Sequence, residues 1–197
     1  SKGSSGAYRG IPNMGHPEGY MHPGFTKSTT RVEGVAPNKV TLFSESRNKK
    51  WACRWEIYPD RAVQTILKTD VPYWFLYEGT PGGKCDAKID QWHYEGGHSG
   101  LLEEEWDEPN GGVHWAAFGD PAVNRALCFV RPKDHGEPAS YWYMNDEMTV
   151  FGYGRPYKKV TKHITELPHS FIMGFVESAK HANIARWAES ILDKAKE

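Results

Sequence analysis

The sequence predicts a mainly β protein, an antiparallel β-sandwich closed by one C-terminal amphipathic helix. Aromatic residues make up 13% of the chain, with 8 Trp and 10 Tyr, and such rings fill pleated sheet surfaces. Short apolar runs alternate with a period of two between turn signals such as Pro37-Asn38, Pro59-Asp60 and Gly119-Asp120-Pro121, the pattern of strands joined by tight connections. Only after Ser178 does the apolar spacing become helical.

The 197 residues fit a single domain spanning 1–197, long enough to bury a core. The chain is 39% hydrophobic and 25% charged with a net charge of −1, which excludes a disordered chain and a basic nucleic-acid binder. No apolar run reaches the ~18 residues a membrane span requires, so a soluble protein is expected. Ser1 in place of Met reads as a mature, cleaved or engineered start, with Ser1 to Gly6 in part a scar. Cys53, Cys85 and Cys128 are odd in number and lack metal-type spacing, so they predict neither a disulfide framework nor a zinc site.

Residues 1–25 are rich in Gly and Pro and contain His16-Pro17 and His22-Pro23, so an irregular loop is expected there. Strands then follow in order: Thr29 to Val35, Val40 to Ser46, Trp51 to Tyr58, Ala62 to Lys68 and Tyr73 to Glu78. In Trp51 to Tyr58, Trp51, Cys53, Trp55 and Ile57 share the core face. Arg54, Glu56 and Tyr58 line the other, either solvated or facing a ligand. Tyr73 to Glu78 is bulky and apolar on both faces, which predicts an interior strand and two stacked layers. Glu78 ends that strand against the turn Gly79 to Gly83, a position from which a carboxylate can face a ligand or brace the turn.

Lys84 to Asn110 reads as a surface loop. Strands resume at Val113 to Phe118, Arg125 to Arg131, Ser140 to Met144, Met148 to Tyr153 and Phe171 to Val176. The closing helix is expected over 178–196, with Ile184, Trp187, Ala188, Ile191 and Leu192 on one stripe.

The run "PYWFLYEGTPGG" (72–83), together with "YRGIPN" (8–13), "AFGD" (117–120) and "MTVFGYGR" (148–155), resembles a group of uncharacterised bacterial β-sandwich proteins associated with the galactose-mutarotase-like fold. The resemblance covers most of the chain. The wider superfamily includes sugar epimerases and polysaccharide lyases, with ligands on a concave sheet face, so it implies a carbohydrate partner and a secreted or periplasmic setting. Members usually begin with more strands than precede Thr29, which implies missing N-terminal strands or a second chain completing the sheet as an oligomer.

Epimerisation and β-elimination need a base, an acid and a group that stabilises negative charge. The expected catalytic set is His16 and His22 as proton carriers, Glu78 as carboxylate partner and Tyr58 as acid. The substrate-binding set is Arg9, Asn13, Arg54, Glu56, Trp74 and Trp92. Loop hydrogen bonding is the plain alternative for the two histidines. No metal site is expected, although His16, Glu18 and His22 could ligate a divalent ion. The opposing readings are a carbohydrate-binding module, with Trp74, Trp92, Trp115 and Trp142 aligned as a stacking platform, and a structural or partner-binding subunit with an exposed apolar edge strand.

Overall fold

The computed structural model describes residues 13–15 (backbone only), 27–144, 147–155 and 162–195. Among them the chain is mainly β, with two antiparallel sheets stacked as a sandwich and a single α-helix at the C-terminal end.

The nine-stranded sheet begins with a meander: β2 (Ser28–Ala36), β3 (Lys39–Ser46), β4 (Ala52–Ile57) and β5 (Ala62–Lys68). It continues through β14 (His169–Val176), β11 (Arg125–Val130), β10 (Trp115–Asp120), β7 (Gln91–Tyr94) and β8 (His98–Leu101). The five-stranded sheet runs β1 (Asn13–Gly15), β6 (Trp74–Gly79), β13 (Met148–Tyr153), β12 (Ala139–Met144) and β9 (Trp106–Glu108).

The tyrosine-rich strand behaves as its pattern demands. Tyr73, Phe75 and Tyr77 enter the core between the sheets, while Leu76 is buried on the other side with Met148 and Val150. Phe75 stacks on Phe171 of the opposite sheet and Tyr77 meets Phe129, both with centroids 4.5 Å apart. These contacts set how the two sheets sit on each other, since buried rings supply large apolar area and fixed packing geometry.

The segment read as a loop, 84–110, instead carries three strands, β7, β8 and β9, which edge both sheets. Each has only three or four residues, too few for a periodicity to stand out. Tertiary packing makes the assignment: Trp92, Tyr94 and Trp106 are buried together, with Tyr94 and Trp106 centroids 4.5 Å apart. The N-terminal stretch read as irregular contributes β1, whose Asn13, Met14 and Gly15 pair with Leu76, Phe75 and Trp74.

The helix α1 (His181–Lys194) starts three residues after Ser178, whose Oγ accepts from the backbone N–H of Lys180 at 3.1 Å and from Asn183 Nδ2 at 2.9 Å. Its buried residues Ile184, Ala188 and Ile191 lie on the outer face of the nine-stranded sheet with Trp115, Cys128 and Ile172. Gly174 makes the close approach possible, because a Cβ there would stand 2.5 Å from the Trp187 ring. No helix among the described residues is long and apolar enough to cross a membrane.

At one end of the sandwich Arg131 is fully buried. It pairs with Glu137 and Asp134 at 3.0 Å each, and its guanidinium carbon lies 4.5 Å from the centroid of Tyr153. At the opposite side of the long sheet, β2 is exposed along its whole length, with Val32 60% and Val35 76% accessible. A bulge between Val32 and Gly34 interrupts this edge, a device that discourages pairing with another strand.

A candidate ligand-binding face on the five-stranded sheet

Strand register brings the polar and aromatic residues of the five-stranded sheet onto its outer face. Leu76, Gly152, Ser140 and Asp107 stand in one row across β6, β13, β12 and β9. Glu78, Val150 and Trp142 form the next row. Directly opposed residues point to the same side of a sheet. The apolar cluster of Leu76, Met148 and Val150, with Trp74 and Met144 packed on it, shows that this side faces away from the core.

Gly152 leaves room at the middle of the face. A Cβ added there would stand 2.8 Å from Cβ and 3.2 Å from Cδ of Arg155, so the arginine stem lies over the bare glycine. Its guanidinium carbon is 5.7 Å from the centroid of Trp142, and Trp142 is 37% exposed. Ser140, opposite Gly152, is fully buried, and its Oγ has no hydrogen-bond partner among the described residues.

Trp74, at the β1 side of the face, meets His163 with ring centroids 5.3 Å apart. His163 donates from Nδ1 to the carbonyl oxygen of Gly154 at 3.0 Å, which leaves Nε2 as the acceptor of the neutral ring. The face thus combines aromatic rings, a guanidinium, carboxylates, a hydroxyl and an imidazole. Such a set can hold a polyhydroxylated ring: aromatic faces stack on its C–H surface, while carboxylates accept from its hydroxyls.

Of the residues expected from sequence, Glu78 and Trp74 lie here. Asn13 stands opposite Leu76, within the pairing that brings β1 to β6. Arg9, His16, Glu18 and His22 lie outside the described residues. Gly15 is opposite Trp74, four positions from Glu78 and so about 13 Å along the strand.

The others lie elsewhere. Arg54 and Glu56 sit on the outer face of the nine-stranded sheet, where Arg54 Nε donates to Glu33 at 3.1 Å and Lys39 Nζ to Glu56 at 2.5 Å. Tyr58 follows β4, with the guanidinium carbon of Arg61 4.3 Å from its ring centroid and Lys39 Nζ at 5.8 Å. Arg54 and Glu78 therefore belong to different sheets and do not converge. Trp92, 8% exposed, is a core ring between Tyr94 and Trp106, which corrects its expected role in substrate binding. Trp115, 2% exposed, lies beneath α1, so the four tryptophans form no aligned platform.

Sequence reasoning passed over Arg155, Asp107, Ser140 and His163. The available signal was Gly152 inside an otherwise apolar strand, the mark of a close approach by another group. Among the described residues no group of three or more His, Cys, Asp or Glu could hold a metal ion.

A second hollow, of about 720 Å³, opens at the mouth of the sandwich between Tyr77, Phe118, Leu127, Met148 and Phe175. Thr80 and Arg125 also line it, and Phe175 at its rim is 62% exposed.

No family model matches the chain, and no curated protein matches it. Among solved structures, the chain is similar to the galactosidase domain of alpha-galactosidase-sucrose kinase, AgaSK, at 10% identity and a TM-score of 0.49. The match covers 88% of this chain and 31% of that one, so this chain spans about a third of its length.

Proposed function

We propose that the protein recognises carbohydrate on the outer face of its five-stranded sheet, as a sandwich of galactose-mutarotase-like type acting outside the cytoplasm, secreted or periplasmic. The observation that carries this reading is the row Glu78–Val150–Trp142, beside Arg155 lying over Gly152. It sets an accessible indole next to ionic groups on a rigid surface, as sugar recognition requires. Titration of the protein with a panel of neutral and acidic oligosaccharides, followed by tryptophan fluorescence and calorimetry, tests it. Saturable binding that Trp142→Ala removes is the expected result, and no binding across the panel rejects the reading.

A catalytic version, β-elimination or epimerisation, is favoured by one observation: His163 beside Trp74 uses Nδ1 to donate to the Gly154 carbonyl oxygen, which turns Nε2 towards the role a general base would need. Glu78, on the same face but four positions along β6 from Trp74, is about 13 Å from that end of the face and would meet a neighbouring sugar ring. Appearance of unsaturated sugar ends, or exchange of a sugar C–H with deuterated water, tests this version. Both signals should vanish in His163→Gln while oligosaccharide affinity is kept.

A further inference from the structure

We infer that His93 and His181 form a two-imidazole site for a monovalent copper ion at the joint between α1 and the nine-stranded sheet. The site is separate from the carbohydrate face, which lies on the other sheet, and does not depend on that reading.

Strand register and helix position bring the two rings together. On β7, Trp92 and Tyr94 enter the core between the sheets, so His93 between them points to the opposite side. There it stands opposite Ala117 of β10, which packs with the buried residues of α1. His181 is the first residue of that helix, and its ring centroid lies 5.5 Å from those of both His93 and Trp115.

His93 is buried, and among the described residues neither of its ring nitrogens has a hydrogen-bond partner. Nδ1 of His181 is likewise buried and unpartnered, so that edge of the ring is turned into the protein. Buried nitrogens left without partners are costly, and three of them at one joint point to a ligand. Each neutral imidazole has a lone pair to offer a cation. Metal–imidazole bonds of about 2 Å put two collinear ring centroids about 6 Å apart, so the rings stand close to coordinating distance.

The number of ligands selects the ion. Among the described residues no third His, Cys, Asp or Glu joins the pair as a metal-binding group. The tetrahedral set of zinc and the oxygen shell of magnesium or calcium are therefore missing. Imidazole suits copper, and its filled-shell monovalent ion is stable with two neutral nitrogen donors in line. A single charge also costs less than a double one beside buried Trp115 and the positive end of α1. Burial keeps both rings neutral at pH 7, the form that coordinates. The other close pair, His135 and His169 with centroids 6.0 Å apart, feels the buried guanidinium of Arg131, which repels a cation.

The test titrates the full chain anaerobically with copper(I) held by a chromophoric chelator, with zinc in parallel. One equivalent of copper(I) should pass to the protein, Tm should rise with copper concentration, and X-ray absorption should show two nitrogen neighbours at about 2 Å. His93→Leu and His181→Leu should each weaken copper(I) by at least about a hundredfold, while His135→Ala keeps it. Melts of the copper-free variants at pH 7.5 separate loss of the site from loss of folding, and His181→Leu, at the less buried ring, carries the test if His93→Leu does not fold. Sulfur neighbours, which would put the ion on Cys53, Cys85 or Cys128, overturn the inference. So do zinc binding as tight as that of copper(I), copper(I) uptake that survives both substitutions, and no uptake at all.

Discussion

His93 on β7 and His181 in the first turn of α1 stand with ring centroids 5.5 Å apart at the joint between helix and sheet. His93 is 3% exposed, and neither of its ring nitrogens has a hydrogen-bond partner among the described residues. Burial, then the neighbouring imidazole, holds His93 down to about 4. Burial first and His98 second lower His181, against a small opposing pull from Glu189.

A histidine neutral in the fold but free to protonate when unfolded loses stability as pH falls below its ordinary value of about 6.5, with the loss complete near its folded value. The loss from His93 therefore develops between about pH 6.5 and 4, reaching roughly 2 kcal/mol at pH 5, or about 4–8 °C in Tm. His169 adds in the same direction, being held down to about 4, chiefly by burial. Thermal melts of wild type and His93→Leu at pH 7.5 and 5 should show a smaller acid-induced drop in the variant. Equal drops would discount the pair.

Asp90 carries the opposite sign. It is 1% exposed, and burial pushes it up to about 6 even though its carboxylate accepts from the backbone N–H of Asp86 at 2.7 Å. Its ionised form costs stability at neutral pH, and that cost fades as pH falls from about 6 towards the ordinary carboxylate value. Asp90→Asn keeps an acceptor for Asp86 and should raise Tm at pH 8 but not at pH 4. A variant less stable than wild type at pH 8 would contradict this sign.

Trp142 and Trp92 should separate binding from folding. Trp142, 37% exposed, contributes surface, whereas Trp92, 8% exposed, fills the core beside Tyr94 and Trp106. Trp92→Ala should cost about 3–5 kcal/mol in urea denaturation. Trp142→Ala should cost less than about 1 kcal/mol while reducing oligosaccharide affinity at least about tenfold. The prediction fails if the two variants lose comparable stability.

The Glu137 carboxylate is 1% exposed and bonds the buried Arg131 at 3.0 Å. Replacing Glu137 with Ala leaves a buried guanidinium with Asp134 as its remaining carboxylate, so a loss of about 3 kcal/mol is expected. Arg131→Met combined with Glu137→Leu should recover much of it. Urea midpoints of the single and double variants give the comparison.

Much of the fold was legible because its signals are local. The alternation in Tyr73 to Glu78 and the helical spacing of Ile184, Ala188 and Ile191 follow from the two backbone periods. Strands β7, β8 and β9 were not legible, since three or four residues form no period and only the packing of Trp92, Tyr94 and Trp106 into the core with Tyr141 gives that segment its place. Glu78 and Trp74 could be picked out beside a Gly-rich turn and in an aromatic run. Arg155 could not, because its position depends on what Gly152 lacks.

By itself the sequence determined strand and helix identity, the burial of both faces of β6 and the presence of charges on β4, all properties of spacing within a few residues. Tertiary structure alone decided that Arg54 and Glu78 belong to different sheets, and that Glu78, Trp142 and Arg155 share one face. That division arises because sheet register joins residues tens of positions apart, and a pairing of that range is settled by the packing of the whole core rather than by any stretch of chain.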